Sequence, residues 1–298
     1  MNKPLTIADI ERETGISRDT LRIWERRYGF PEPQRNQRSE RNYSQEQLER
    51  LRLIKQLTDN GMRPGKLARL DLQQLQLMLQ EHTDLPELSP VVASLLELVQ
   101  DQIPGTLEQR LEQLLHQHGL PAFLTEIVAP LNHAVGKSWA DGKIGVLDEH
   151  LYAEQIRMVL GRILNELKPA PAAPRVLLTT LPGEQHGIGM LMVACMLRHE
   201  GAAPLVAGVQ TPLDEIVRGA VGGGCSVVGI SCSSYLQRRQ ITSQLVRLRS
   251  MLPQEIRLWA GGSGVKELTA MPSGIQLFQS LNQISTVLQQ LASTQKRP

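Results

Sequence analysis

The chain of 298 residues lacks long apolar runs and has few cysteines. No stretch reaches the roughly 18 apolar residues that a membrane-spanning helix needs, and residues 1–4 lack the apolar character of a secretory signal. The three cysteines, Cys195, Cys225 and Cys232, follow no CxxC or zinc-finger spacing, which argues against a disulfide framework and a structural metal site. We therefore expect a cytoplasmic protein, with no membrane partner, whose cysteines lie in its core.

Basic charge is concentrated at the N-terminus. Residues 1–70 hold fifteen Lys and Arg against ten Asp and Glu, although the net charge of the whole chain is only +2. Seven arginines and no lysine occur from Arg18 to Arg41. Because the planar guanidinium group suits bidentate contacts with phosphates and guanine edges, this segment favours a nucleic-acid partner.

The segment LTIADIERETGISRDTLRIWERRYG predicts two short helices joined by a tight turn, which is a helix-turn-helix pattern. Ser17 is suited to cap the second helix, and Leu21 lies on its inner face. A proline-punctuated stretch rich in arginine follows. The pattern then predicts a helix over residues 45–60 and a shorter one from Arg63.

With TLRIWERRYG and an arginine-rich wing that ends in RNYS, this segment resembles the MerR family of winged helix-turn-helix transcription regulators. The resemblance implies a recognition helix in the major groove and a homo-oligomer, since the family binds inverted repeats as dimers. Ser39 departs from the glycine common in such wings. From the residues alone, the alternative is a solvated arginine-rich face of a protein-interaction module. The expected contacts with operator DNA are Arg18, Thr20, Arg22, Arg26, Arg27, Arg35, Arg38, Arg41 and Tyr43.

Beyond this segment, the pattern changes twice. Residues 85–167 are helical by periodicity, and the proline-rich residues 168–174 then form a linker. Five short apolar runs, RVLLTTL, APLVAGV, SVVGIS, IRLWAGG and GIQLFQS, alternate with helical stretches and predict a doubly wound parallel sheet. The expected fold class is therefore a multidomain α and α/β protein. Its domains are a winged helix-turn-helix domain (1–75), a helical domain (85–167), the linker (168–174) and a Rossmann-like five-stranded domain (175–298).

The decapeptide LPGEQHGIGM follows the first predicted strand, at the edge where such sheets bind ligands. Its glycines begin a phosphate-binding fingerprint, but Met192 occupies the third glycine position, so the dinucleotide signal is weak. His186 is a suitable metal ligand, and Glu184 can orient its ring. Without further ligands nearby, a single imidazole suits a metal held in a macrocycle, either cobalt in a corrin or iron in a haem. A histidine that caps the next helix is the alternative.

Three sequence elements resemble the cobalamin-binding domain of methionine synthase and corrinoid methyltransferases. They are EQHGIG after the first predicted strand, Ser231-Cys232-Ser233 after the third and Gly261-Gly262 after the fourth. The resemblance implies that His186 replaces the cofactor's benzimidazole below cobalt and that the displaced nucleotide tail inserts beside the sheet. Glu184 stands where aspartate is commoner, and Ser233 stands where Leu or Thr is common. The residues expected to hold the cofactor here are Glu184, His186, Gly189, Ser231, Ser233, Gly261 and Gly262.

The segment SWADGKIGVLDEH is similar to the four-helix lid of the light-sensing CarH and LitR regulators, which join a MerR domain to an adenosylcobalamin module. This similarity implies a four-helix bundle over residues 85–167 and an adenosyl group packed on Trp139, with help from Val146, Glu149 and His150. In those regulators a dark tetramer covers the promoter, and light disassembles it. Ala140 departs from the histidine that can follow the lid tryptophan. An ordinary bundle core with a surface histidine is the alternative.

The sequence as a whole predicts a DNA-binding repressor, not an enzyme, whose oligomerisation and operator binding respond to adenosylcobalamin and to light. Two other functions remain open on the sequence. One is a MerR-type regulator that responds to a different ligand or partner without cobalamin. The other is a corrinoid carrier protein of a methyltransferase system, against which the DNA-binding segment argues.

Overall fold

The computed structural model describes residues 5–35, 41–59, 62, 64–82, 88–103, 105–170, 173–266, 268 and 271–288. The chain divides into two compact units, one of residues 1–100 with 132–150 and one of residues 101–131 with 151–298. No helix in these described ranges combines the length and the apolar character needed to cross a membrane.

The first unit opens with the predicted helix-turn-helix and its wing. Thr6 and Asp9 cap the first helix reciprocally, and the Ser17 hydroxyl accepts a hydrogen bond of 3.2 Å from the Thr20 amide at the start of the second. The strands form an antiparallel sheet in the order β1-β3-β2. The elements are β1 (Leu5–Thr6), α1 (Ile7–Thr14), α2 (Arg18–Tyr28), β2 (Gln34–Arg35), β3 (Arg41–Tyr43), α3 (Gln45–Asp59), α4 (Pro64–Leu67), α5 (Leu72–His82) and α6 (Pro90–Asp101).

The core of the helix-turn-helix region extends further along the chain than the sequence pattern indicates. Leu21 and Trp24 are buried in it, as expected for the inner face of α2. Helix α5, which the pattern did not predict, packs on α3 and adds Leu75 and Leu79 to the same cluster. Residue 75, the expected end of the DNA-binding domain, therefore lies inside a helix of this core.

The middle of the chain is helical, as predicted. Its helices after α6 are α7 (Thr106–Ala122), α8 (Ala129–Ala140) and α9 (Val146–Glu166), with a π-helical segment (Phe123–Val128) before α8. Helix α7 is broken near its end by Gly119, whose backbone is not helical. Residues 132–150, which span the end of α8 and the start of α9, belong to the first unit.

The second unit contains a five-stranded parallel sheet, which confirms the predicted α/β architecture. Each apolar run singled out in the sequence forms one strand, and the strand order is β5-β4-β6-β7-β8. The described part of residues 168–174 has neither helix nor strand. The elements are β4 (Arg175–Thr180), α10 (Ile188–His199), β5 (Ala203–Val206), α11 (Leu213–Gly222), β6 (Val227–Ser231), α12 (Arg238–Met251), β7 (Arg257–Gly261) and β8 (Ile275–Phe278).

The two faces of this sheet differ. One face carries Leu177, Val228 and Leu258, which form an apolar core with α11 and α12. Ser231 and Gly261 point to the opposite face, because side chains alternate along a strand; there a Cβ added at Gly189 of α10 would lie 3.2 Å from the Ser231 hydroxyl.

The three cysteines are all buried free thiols, as expected. Burial raises the pKa of each one. Cys225 and Cys232 belong to the apolar core on the α11 and α12 face. The Cys195 thiol, on α10, lies 3.3 Å from the carbonyl oxygen of Leu160 on α9.

Replacement of Leu75 by alanine should loosen the first unit, whereas the same change at Leu77 should not. Leu75 is fully buried, but Leu77, two residues along the same helix, is 59% exposed. Deleting a buried leucine side chain costs about 2–5 kcal/mol, and a surface change costs less than about 0.5 kcal/mol. Hydrogen–deuterium exchange of the full chain should therefore accelerate in α1 and α3 for Leu75→Ala alone. Equal protection in the two variants would contradict the place of α5 in this core.

Candidate functional site

The loop after β4 holds an imidazole against a buried carboxylate. Nδ1 of His186 lies 2.7 Å from Oε1 of Glu184, and the His186 amide donates to the same oxygen at 2.9 Å. The Thr180 hydroxyl at the end of β4 donates to the Glu184 carbonyl at 2.7 Å. These bonds fix both the loop and the ring at the C-terminal edge of the sheet.

The other oxygen of Glu184 is bound by the loop after β6. Both the amide and the hydroxyl of Ser233 donate to Oε2, at 2.9 and 2.6 Å. The Glu184 side chain is completely buried. Burial pushes its pKa upwards, but the hydrogen bonds from His186 and Ser233 outweigh burial, so the pKa is lowered from 4.5. The carboxylate is therefore ionised at neutral pH.

The arrangement leaves His186 with one ligating atom. Because a carboxylate only accepts hydrogen bonds, Nδ1 carries the proton, and in the neutral ring Nε2 then has the lone pair that can ligate a metal. The side chain is 56% exposed, and its ring lies 5.1 Å from that of Tyr235. Helix α10 begins only at Ile188, with Gly187 as its N-cap, and the hydrogen bonds recorded for the His186 ring go to Glu184 and Ser233 rather than to this helix.

No group of three or more His, Cys, Asp and Glu side chains suited to a metal ion occurs in the part of the chain that the structure describes. His186 therefore offers a single donor atom. That geometry suits a metal whose remaining positions are already occupied by a macrocycle.

Four small residues lie where α10 and the loop after β7 pack closely on the ends of β6 and β7. We name the four positions Gly189, Ser231, Gly261 and Gly262 the tail slot. Ser231 and Gly261 are register partners at the ends of β6 and β7, and a Cβ at Gly189 would lie 3.2 Å from the Ser231 hydroxyl. Gly262 has φ +105°, and a Cβ there would lie 2.3 Å from the Cys232 carbonyl oxygen, so a larger residue does not fit.

The predicted lid residues occupy the junction of α8 and α9 in the first unit. Trp139, partly buried, precedes the end of α8 at Ala140, and Val146 begins α9. Glu149 and His150 follow in the first turn, with His150 Nε2 3.7 Å from the Glu149 carboxylate. His150 is 70% exposed.

The turn between these two helices lies against the DNA-binding region of the same unit. A Cβ added at Gly142 would lie 2.8 Å from Nη1 of Arg52 on α3. Arg52 in turn forms an ion pair of 2.8 Å with Glu13 of α1. The turn therefore packs against a side chain that also holds α1 and α3 together.

The predicted DNA-binding arginines of α2 and β2 are all exposed: Arg18, Arg22, Arg26, Arg27 and Arg35. Two of them also form ion pairs, Arg18 with Glu11 at 2.6 Å and Arg22 with Asp19 at 3.3 Å. Arg38 and Ser39 of the wing lie outside the described residues.

The wing is anchored to α2 by an ion pair. Arg41 on β3 binds the Glu25 carboxylate at 2.9 Å, and these hydrogen bonds raise the pKa of its guanidinium group. Tyr43, expected on the wing surface, is 3% exposed in the core of the unit, and burial raises its pKa. Thr20 bonds to the hydroxyl of the capping Ser17 at 2.8 Å.

Sequence reasoning missed two residues of these sites. Tyr235 lies beside His186 because the loop after β6 returns to the loop after β4. In the sequence, Tyr235 could have been found as an aromatic residue two positions after Ser233. Glu25 was missed because its partner Arg41 lies sixteen residues away in the sequence. The sequence pattern does not predict how the strands of the wing between them pair.

Three parts of the chain match known families. Residues 5–74 match the MerR HTH family of regulatory proteins. Residues 91–164 and 174–273 each match a B12-binding domain family. These matches identify cobalamin and DNA as the two classes of ligand for which the chain carries domains.

Two curated relatives match most of the chain. The chain is 30% identical to the HTH-type transcriptional repressor CarA of Myxococcus xanthus over 303 residues, covering 99% of each chain. It is 28% identical to the repressor CarH of the same organism, covering 86% of this chain and 88% of CarH. A monomethylamine corrinoid protein of Methanosarcina barkeri shares the fold, with a TM-score of 0.53 and 15% identity over 67% of this chain and 98% of its own. The chain belongs to the CarA and CarH family of MerR-type transcription regulators with B12-binding domains.

Proposed function

We propose that this chain is a transcriptional repressor whose oligomeric state and operator affinity are set by adenosylcobalamin, and through it by light. The observation that carries the proposal is the His186 ring, held by the buried carboxylate of Glu184 in a chain that also has a MerR-type helix-turn-helix. The relatives named CarA and CarH are repressors, which supports repression. No reaction on a substrate is part of this function.

The residues of the second unit fit a corrin whose lower base has been displaced. Nε2 of His186 would ligate cobalt, while Glu184 and Ser233 keep the imidazole in the Nδ1–H tautomer and raise its basicity. The tail slot would take the nucleotide tail, because its residues carry little or no side chain at this edge of the sheet. When bound, adenosylcobalamin supplies a cobalt–carbon bond that light can break.

The lid residues would contact the upper ligand. We assign this role to Trp139, with Val146, Glu149 and His150, because an indole packs well on adenine and a carboxylate can accept from a ribose hydroxyl. The adenosyl form is favoured over the methyl form for the same reason. We further propose that the DNA-binding domain extends from residue 1 through the end of α5 at His82, with 85–167 as the lid, 168–174 as the linker and 175–298 as the cobalamin domain.

The exposed arginines of α2 would read the operator. Arg22, Arg26 and Arg27 share an accessible helix and have the fork geometry for guanine edges and phosphates. The other contacts proposed for DNA are Arg18, Thr20, Arg35, Arg38 and Arg41, whereas Tyr43, buried in the core of the unit, would support the wing without contacting DNA. An inverted-repeat operator requires at least a dimer, and we propose that cofactor binding in the dark produces the larger oligomer.

The central experiment measures the absorption spectrum, the molar mass and operator binding of the purified chain with adenosylcobalamin, first in the dark and then after illumination. We expect a bound corrinoid and a large oligomer that retains operator DNA in the dark. Light should reduce both the mass and the DNA affinity. Absence of a bound corrinoid would refute cobalamin control, and a bound corrinoid that does not respond to light would refute photoreception.

The variant His186→Ala should change the absorption spectrum of the bound cobalamin, because cobalt loses the ligand supplied by the protein. Its affinity for the cofactor should fall by at least about ten-fold. His199→Ala is the matched control, since His199 is an exposed histidine at the end of α10. An identical spectrum for wild type and His186→Ala would exclude His186 as the ligand.

The variant Arg22→Ala should weaken operator binding by about 1–3 kcal/mol if the side chain contacts a base. Arg12→Ala is a closely matched control. Arg22 and Arg12 are both exposed arginines, and each pairs with an aspartate three residues earlier, Asp19 or Asp9. Fluorescence anisotropy with labelled operator measures the two affinities. An equal effect of both changes would assign Arg22 to the solvated surface.

A further inference from the structure

The connection between α8 and α9, residues 141–145, is bonded firmly to both helices; we name it the lid turn. At its start, the Gly142 amide donates to the Trp139 carbonyl oxygen at 3.0 Å. At its end, the Gly145 amide donates to Oδ2 of Asp148 in the first turn of α9 at 2.7 Å. A displacement of Trp139 would therefore carry the lid turn with it.

Gly142 lies directly against the guanidinium group of Arg52 on α3. Its φ is +71°, a conformation that glycine adopts readily and that other residues rarely adopt. A Cβ added there would lie 2.8 Å from Nη1 of Arg52. The close approach therefore depends on glycine, and a movement of the lid turn towards α3 would meet the guanidinium group at once.

The hydrogen bonds of Arg52 do not by themselves fix its side chain. Nη2 donates to Oε2 of Glu13 on α1 at 2.8 Å. The buried Nε, however, has no hydrogen-bond partner among the residues that the structure describes. The side chain is only 12% exposed, so its position depends on what packs against it. The lid turn supplies part of that packing.

Helix α1 connects Arg52 to the start of the recognition helix. Glu13 of α1 binds Arg52 of α3, and Glu11 of the same helix binds the first residue of α2. Oε1 of Glu11 accepts a hydrogen bond from the Arg18 amide at 3.1 Å, and its Oε2 accepts one from the Arg18 Nε at 2.6 Å. The order of α1 therefore affects the order of α2.

We propose that Arg52 is the positioning residue through which the lid turn controls the helix-turn-helix within one chain. An adenosyl group packed on Trp139 would hold the lid turn against Arg52, and Arg52 would then hold Glu13 and α1 more rigidly. A recognition helix that is already ordered loses less conformational entropy when it binds DNA, so operator affinity rises. The inference rests on the proposed cobalamin function and adds a regulatory contact to it.

The first test needs no variant. Hydrogen–deuterium exchange of the full-length wild type is measured in the dark, without DNA, in the presence and in the absence of adenosylcobalamin. We expect slower exchange in α1 and α3 when the cofactor is bound. Unchanged exchange there, with the corrinoid bound, would overturn the inference and leave control through oligomerisation in place.

Two variants disturb the contact from opposite sides. Arg52→Lys keeps the charge but loses the planar fork that reaches Glu13 and the lid turn together. Gly142→Ala places a methyl group 2.8 Å from Nη1 of Arg52 and so displaces the guanidinium group. Gly105→Ala is the matched control, because Gly105 also has a positive φ, +81°, but a Cβ there meets nothing within 4 Å.

Each protein is titrated with adenosylcobalamin in the dark, its molar mass is measured, and its operator affinity is determined with and without the cofactor. Arg52→Lys and Gly142→Ala should bind the cofactor and assemble as the wild type does. In both, the factor by which the cofactor strengthens operator binding should fall about five-fold or more, and the slowing of exchange in α1 should be lost. Gly105→Ala should keep the wild-type factor and the wild-type exchange response.

Two results with the variants would overturn the inference while the proposed function stands. In the first, Arg52→Lys or Gly142→Ala keeps the wild-type factor. In the second, both variants lower operator affinity equally with and without the cofactor, which would limit Arg52 to a structural role in the first unit. If the wild type binds no corrinoid, the proposed function itself fails.

Discussion

The carboxylate of Glu184 is a buried negative charge that connects two strands of the sheet. It accepts hydrogen bonds from the amide and the ring of His186 and from the amide and the hydroxyl of Ser233. Burying a carboxylate without such bonds is costly enough that the group would take up a proton instead. With them it remains charged, so the ring of His186 has a fixed tautomer and orientation before any ligand arrives.

This preorganisation depends on topology. The two loops that supply Glu184 and Ser233 follow β4 and β6, which are adjacent parallel strands. Their C-terminal ends meet at one edge of the sheet, so residues 49 positions apart reach the same carboxylate. The small residues of the tail slot lie at the same edge of the sheet as the His186 ring.

In the first unit, the turn between α8 and α9 packs close to the helix-turn-helix region. Arg52 contacts the turn at Gly142 and pairs with Glu13 of α1. The turn lies between Trp139 and Val146, two of the residues assigned to the upper ligand. A displacement of that turn would therefore act on a side chain that connects α1 and α3, beside the recognition helix.

Much of the fold follows from the sequence, because its signals are local. Apolar runs bounded by turn residues gave all five strands of the sheet, and capping residues such as Ser17 located α2. Helix α5, with the sequence LQQLQLMLQEH, was not predicted; Leu75 and Leu79 hold it in one core with residues of helices distant in sequence.

The candidate site was predictable to a smaller extent. The pairing of Glu184 with His186 follows from their spacing, and the resemblance to cobalamin domains supplied Ser231, Gly261 and Gly262. The bond from Ser233 to Glu184 and the approach of Tyr235 to the ring required the register of β4 and β6. The sequence IRLWAGG does not distinguish Trp259 from an ordinary core residue. Only the side-chain packing shows that its Nε1 is buried without a hydrogen-bond partner among the described residues.

The buried cysteines have a consequence for the signals that the chain can receive. Burial raises the pKa of every thiol, so none presents the thiolate on which peroxide or disulfide exchange depends. We therefore expect thiol-directed oxidants to leave these cysteines unmodified while the chain is folded.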